Sequence, residues 1–461
     1  MYKAYITVLT NVRKHPNADR LLLADVFGNT VCVSTDYTEG QLGVYFPTDG
    51  QLSLEFAEQN NLLRKKDDAG NNIGGYMDPE KRNVTAIRLR GEKSDGLFLP
   101  ISALDYCYAH HDASIELRAG DVIDGVVNGC EICRKYIPRS NTRRGTVTEG
   151  NRTRKKKVAV APLFAEHADT EQLAYNLSAF KPGDEIEITL KMHGTSQRTG
   201  YLPVLQGYKR TLWDRITRKE GTPIYDYGYV SGTRRVVLEN YEGGFYGDNQ
   251  FREQHSKTFE GKLWKGETVY YEVVGFTTSG APIMGDASNK KLNDKEFIKQ
   301  YGETTRFSYG CKPVVSIDCD DLQSDIYVYR MTMTNPDGEV VEYTPDFMRY
   351  RCGQMAVKTV PVFFKDTIPE GFDIDVFDDG SEIEHYEIDA GEWVMKKAEQ
   401  FYDGPDPVGK THVREGVVVR IINRPKFAAY KHKNFSFKVL EGIIKDTAAA
   451  PDMEEAQEVT E

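Results

Sequence analysis

Two rhythms of hydrophobic and polar residues divide this chain. Positions 3–11 alternate apolar and polar side chains, which predicts a half-buried strand. His15-Pro16-Asn17-Ala18-Asp19 then reads as a turn. Further short strands are expected at 21–26, 30–34, 40–46 and 87–89, and the run from Gly91 to Pro100 closes the set. Short strands at this spacing predict a small β-barrel over residues 1–130. From 161 to 445 the strands are separated by longer polar segments. They are expected at 185–191, 227–231, 268–275, 326–332, 416–422 and 435–440. A helix is expected at 345–357, with Pro345 at its start and Phe347, Met348, Met355 and Ala356 at helical spacing. The predicted class is α+β with antiparallel sheets. No internal repeat is visible.

Between these regions, 131–160 is too poor in apolar residues to bury a core. It carries Arg134, Lys135, Arg139, Arg143, Arg144, Arg152, Arg154, Lys155, Lys156 and Lys157, with Glu149 the one acid between Arg134 and Lys157. It is expected to be a basic linker able to lie along phosphates. Residues 366–400 concentrate acid instead, with Asp373, Asp375, Asp378, Asp379, Glu382, Glu384, Glu387, Asp389 and Glu392. Residues 446–461 form an acidic tail, expected to be disordered.

Composition narrows the class. A chain of 461 residues exceeds one ordinary domain. Its 39% hydrophobic and 28% charged content describes a soluble protein. No apolar run approaches the ~20 residues that cross a bilayer, and the polar N-terminus shows no secretory signal. The 7 scattered cysteines fit a reducing, cytoplasmic setting. A net charge of −11 argues against a general nucleic-acid coat but allows a local basic groove.

The candidate chemistry begins at Lys191-Met192-His193-Gly194-Thr195-Ser196, at the end of the strand-like 185–190 run. Lysine followed three residues later by glycine is how covalent nucleotidyltransferases present their nucleophile. The amine attacks the α-phosphate of a nucleoside triphosphate, and the glycine lets backbone approach the nucleotide. Alone the pattern is common. Such an enzyme also needs a deprotonated amine, although free lysine has a pKa of ~10.4. It needs carboxylates for Mg²⁺ and ribose, cations for the transferred phosphate and an aromatic face for the base. These follow in order: Arg234 in Thr233-Arg234-Arg235, Glu272 in Tyr271-Glu272-Val273-Val274-Gly275, Tyr329 in Tyr327-Val328-Tyr329 and Glu415 in Arg414-Glu415-Gly416-Val417. Last comes Lys431-His432-Lys433-Asn434-Phe435-Ser436-Phe437-Lys438. No phosphate loop of the Gly-x-x-x-x-Gly-Lys-Ser/Thr type is present.

On these residues the chain resembles the covalent nucleotidyltransferase superfamily of polynucleotide ligases and capping enzymes. Within it the chain is most similar to ATP-dependent RNA ligases of the RNA ligase 2 type, in the Deinococcus-type branch with an OB domain ahead of the catalytic domain. His193 carries that distinction, because DNA ligases and capping enzymes usually have aspartate there. The run from His15 to Leu21 resembles the opening of such OB modules. The resemblance implies an N-terminal OB-type β-barrel, a basic linker at 131–160, an adenylyltransferase domain of ATP-grasp-like antiparallel sheets at 161–445 and a tail.

It also implies roles. Lys191 would be the adenylated nucleophile, with His193 and Lys438 as catalytic partners. Thr189, Leu190, Gly194, Arg234, Glu272, Tyr329, Glu415 and Lys433 would bind nucleotide, with Arg234 on ribose or phosphate and Tyr329 on adenine. Glu415 and Glu272 would bind Mg²⁺ or Mn²⁺. Ser196 departs from the family's usual asparagine. Ser436 stands where the final motif usually has lysine, so Lys433 or Lys431 is an alternative source of that charge. The implied reaction is ATP-dependent sealing of 3′-hydroxyl and 5′-phosphate ends in RNA or an RNA/DNA nicked duplex by a monomer, in RNA repair. A DNA ligase, a GTP-using capping-type enzyme and a non-catalytic RNA-binding protein on a ligase scaffold are the alternatives.

Two further groups stand apart. Cys130-Glu131-Ile132-Cys133 with Cys107, His110 and His111 has spacing a zinc site could use, though unrelated cysteines explain it as well. The segment 208–219 mixes cations with Trp213 and reads as a nucleic-acid grip or an ordinary exposed hairpin.

Overall fold

The structure is a computed structural model. It describes residues 2–66, 72–108, 117–136, 159–168, 170–211, 221–238, 241, 246, 249–292, 294–315, 321–375 and 383–446. Most of the basic linker, His110, His111, Trp213 and the acidic tail lie outside the described residues. The chain forms two compact units. The first comprises Met1–Pro138, Asn289–Glu296 and Phe435–Asp446, and the second comprises Arg139–Ser288, Phe297–Asn434 and Thr447–Glu461.

In the first unit, strands Leu97–Pro100, Leu42–Phe46, Ala4–Val8 and Val122–Ile123 pair in that order. A separate antiparallel ladder joins Thr10–Lys14, Leu21–Val26 and Asn29–Ser34. A third joins Cys133–Lys135, Gly50–Leu52 and Asn83–Val84. Ile6, Val44, Phe46, Leu52, Phe56, Leu104 and Ile132 form its core, all fully buried. Among the described residues no ladder closes on itself. The single strand predicted over 3–11 is two strands in different sheets, with left-handed Asn11 (φ 52°) at the start of the second. A register shift between Thr10 and Arg13 bends the edge further.

The 435–440 segment is also corrected. It is a helix, Phe435–Asp446, in the first unit. Phe435, Phe437 and Val439 alternate like a strand, but adding Leu440, Ile443 and Ile444 restores a helical period.

The second unit is built on two sheets. A five-stranded sheet has the order Glu171–Gln172, Ala428–Lys433, Gly416–Ile421, Glu185–Leu190, Val362–Thr367. Ile186, Ile188, Val417 and Val419 point from it into the core and are fully buried. The alternate positions Glu187, Thr189, Val418 and Arg420 line a pocket, as period-2 geometry requires. The second sheet has the order Thr222–Gly232, Thr195–Lys209, Glu267–Gly275, Ser324–Thr334, Val340–Glu342, with Lys358–Thr359 added beside Ser324–Thr334. The predicted helix is present as Pro345–Met355. Thr344 caps it by accepting from the Phe347 N–H, proline opens it and left-handed Ala356 ends it. Among the described residues no helix is long and apolar enough to cross a membrane.

Candidate active site

Lys191 sits where the chain leaves one sheet for the other. Glu185–Leu190 ends beside Gly416–Ile421, and Thr195–Lys209 begins beside Glu267–Gly275. Residues 191–194 are the bridge. Backbone packing dictates its glycines. A Cβ on Gly194 would lie 2.4 Å from the Val273 carbonyl oxygen, and one on Gly416 (φ 145°) would lie 2.1 Å from that of His432. The Gly416 carbonyl accepts the Lys191 N–H at 3.0 Å, which fixes the start of the bridge. At its far end Arg252, fully buried, donates to the Thr195 hydroxyl at 2.7 Å and the Ser196 carbonyl at 3.2 Å.

Two lysines meet one carboxylate oxygen. Lys191 Nζ lies 2.7 Å from Glu415 Oε1, and Lys433 Nζ lies 3.2 Å from the same atom. His193 Nδ1 lies 3.7 Å from Glu415 Oε2. Glu415 and Lys433 are buried, while Lys191 keeps 16% of its side chain exposed and lines the pocket. Strand pairing explains the meeting. Gly416 is opposite Lys433 in the ladder, so Glu415 just before it and Lys433 share one sheet end.

The pocket extends from Lys191 and Met192 past Thr189, Leu190, Arg234, Glu272 and Tyr329. Glu272 stands opposite Ser196 in the second sheet, and the Tyr329 hydroxyl shares a 2.8 Å hydrogen bond with the Ser196 hydroxyl. Ser196 therefore anchors an aromatic wall of the pocket. Burial first, and the Glu272 carboxylate second, push the Tyr329 hydroxyl pKa upwards, so it stays neutral. The Tyr329 ring meets His167 edge-on at 5.2 Å.

The pocket is also lined by residues the sequence did not single out: Glu187, Arg349, Arg420, Phe427 and His167. Glu187 is paired with Arg349 at 2.7 Å. Arg420 donates to the Tyr343 carbonyl at 2.9 Å and lies over the Phe427 ring at 5.1 Å. Its Nε and Nη1 atoms are buried with no hydrogen-bond partner among the described residues. Burial lowers its pKa, but a guanidinium remains charged. Glu187 could have been found in the sequence, because positions 187, 189 and 191 share a strand face. Arg349 and Phe427 carried no such signal.

The structure thus gathers Lys191, His193, Glu415 and Lys433 by direct contact, and Thr189, Leu190, Arg234, Glu272 and Tyr329 around one pocket. Lys438 is not among them. It lies in the first unit on the Phe435–Asp446 helix, with its amine 2.6 Å from Asp95. Among the described residues no three His, Cys, Asp or Glu side chains approach closely enough to hold a metal. Cys107, Cys130 and Cys133 are free thiols. Mg²⁺ needs no such cage, since it keeps several waters and takes one or two carboxylates. Glu415 Oε2, buried with no hydrogen-bond partner among the described residues, is an oxygen donor of that kind.

No protein-family model matches the chain, and no curated protein matches it. Solved structures do. The chain is similar to Naegleria gruberi RNA ligase with PPi at 16% identity and a TM-score of 0.53, covering 94% of this chain and 97% of that one. A mutant of that ligase with AMP and Mn matches at 16% identity and a TM-score of 0.52, over 94% and 97%. Another mutant with ATP and Mn matches at 15% identity and 0.52, over 94% and 98%. At such identities the likeness is one of fold, and it runs through nearly the whole of both chains.

Proposed function

We propose that this chain is an ATP-dependent RNA ligase that works through a lysyl-AMP intermediate on Lys191. The observation that carries the reading is the convergence of Lys433 and Lys191 on Glu415, with Lys191 also lining a pocket walled by Glu272, Tyr329 and Arg234. The likeness in fold to solved RNA ligases supports it independently.

In the first step the Lys191 amine attacks the α-phosphorus of ATP. The N–P bond forms, the bond to pyrophosphate breaks, and the amine proton leaves towards Glu415, its 2.7 Å neighbour. Lys433, beside the same carboxylate, offsets the charge that develops on the phosphate. Glu272 and Arg234 hold the nucleotide sugar and phosphates, and Tyr329 sets the base. Mg²⁺ would be held by Glu415, with Glu272 as a second carboxylate, and would withdraw charge from the phosphate oxygens and favour the neutral amine. In the second step AMP passes from Lys191 to a 5′-phosphate end. In the third a 3′-hydroxyl attacks that activated phosphate and AMP leaves. Lys433 takes the role that the sequence order first suggested for Lys438.

A panel of nicked duplexes with RNA or DNA on each side of the break tests the assignment. Sealing with ATP of nicks whose 3′-hydroxyl strand is RNA is expected. Sealing only of all-DNA nicks would make the chain a DNA ligase, and labelling with GTP in place of ATP would make it a capping-type enzyme.

A further inference from the structure

A second group of buried side chains touches the Lys191 bridge and takes no part in the chemistry above: Phe307, Tyr309, Asp406 and His412. The His193 N–H donates to the Tyr309 hydroxyl at 2.7 Å. The Tyr309 ring meets the His412 ring edge-on at 4.6 Å, and Phe307 lies 4.6 Å from His193 and 5.3 Å from His412. Tyr309 is left-handed (φ 50°), an unfavourable conformation for a bulky aromatic residue, and Gly310 follows at φ 84°. A Cβ on Gly409 would lie 2.6 Å from the Gly310 nitrogen, so the two loops meet backbone to backbone. Strained residues persist where their surroundings over-determine them, and they gather at functional sites.

We infer that Tyr309 is a positioning residue for adenylation, holding the His193 backbone so that Lys191 faces the α-phosphate. The inference rests on Lys191 being the nucleophile. Lys191 is gripped at its own N–H by Gly416 and two residues later by Tyr309. Together the two bonds tie the bridge down at Lys191 and again at His193. Burial, and then the nearby Asp406 carboxylate, push the Tyr309 hydroxyl pKa well up, which keeps it a neutral acceptor. The direction of attack depends on small displacements of the amine, so a loosened bridge slows chemistry without removing any contact to ATP.

Tyr309→Phe keeps the ring and removes one oxygen. The self-adenylation rate at saturating ATP is expected to fall about tenfold (~1.4 kcal/mol). The apparent KM for ATP should stay within about twofold. An unchanged rate, or a loss carried by KM alone, overturns the inference. Amide hydrogen exchange of the wild-type chain gives a second test that needs no variant. The His193 N–H should exchange slowly, and exchange as fast as in a short unstructured peptide would overturn the inference. A wild-type chain that takes no label from ATP removes the nucleophile reading itself. A labelled wild type matched in rate by Tyr309→Phe removes only the role of Tyr309.

Discussion

Lys433 and Lys438 are near neighbours in sequence and belong to different parts of the molecule. Lys433 ends a strand of the second unit, buried beside Glu415 and across from Lys191. Lys438 lies on a helix of the first unit, partly buried, beside the buried Asp95. Both are lysines paired to a carboxylate at close range. They differ in what else the carboxylate touches. Glu415 is shared by two amines and lies next to a pocket, whereas the Asp95 carboxylate is bound to Lys438. A buried ion pair is therefore weak evidence of function by itself. On the proposed reading, the second amine on Glu415 and the adjoining pocket set Lys433 apart from Lys438.

The comparison can be broken by exchanging the lysines for a neutral side chain of similar length. Lys433→Met should slow self-adenylation by about 10²–10³, as expected for removing a charge that stabilises the transition state. Lys438→Met should leave that rate within a few-fold and lower stability by about 3 kcal/mol, because it strands the buried Asp95. Labelling kinetics beside a denaturant titration of both variants separates the two outcomes. A large kinetic defect in Lys438→Met with no defect in Lys433→Met would reverse the assignment.

Arg420 sharpens the contrast within the pocket. Two of its donor atoms have no hydrogen-bond partner among the described residues, which suits a residue awaiting a ligand. Arg420→Met is expected to raise the KM for ATP about tenfold, a loss of ~1.4 kcal/mol in binding, with a smaller change in kcat. Unaltered KM would make Arg420 a scaffold residue held by Tyr343 and Glu342.

Asp406 is the counterpart of Asp95, a buried carboxyl with no cation in direct contact among the described residues. Burial raises its pKa to about 7, with the Val408 N–H pulling the other way. The unfolded chain titrates near the ordinary carboxylate value, so the folded state binds more protons between about pH 4 and pH 7. Its contribution to stability is present below that window and is lost as pH rises through it. His412, whose pKa burial lowers to about 4, acts in the opposite sense by losing stability as pH falls below about 6.5. Asp406→Asn should therefore match the wild type in melting temperature near pH 4 and exceed it at pH 8. Equal melting temperatures at both values would mean that the carboxyl is ionised in place.

The candidate residues were readable in sequence because Lys191 and Glu415 flank strand ends and Glu272 lies within a strand, in the order the proposed chemistry needs. Glu272 stands before a Val-Val-Gly run, Glu415 before a glycine, and Lys191 three residues ahead of Gly194. Thr189 and Glu187 share the lysine's strand face. The break within 3–11 was not readable, because alternation does not reveal that left-handed Asn11 sends two short strands into different sheets. The helix at Phe435–Asp446 was read as a strand because Phe435, Phe437 and Val439 alternate until the longer helical period is counted. Arg252, Tyr309 and Arg420 were invisible for another reason. Their partners lie dozens of residues away, and only the pairing of sheets and loops brings them together.

The central claim is that Lys191 carries AMP. Incubating the full chain with α-labelled ATP and Mg²⁺, then denaturing it, should leave label covalently attached to the wild type and none on Lys191→Ala. Equal label on Lys191→Ala would contradict the account.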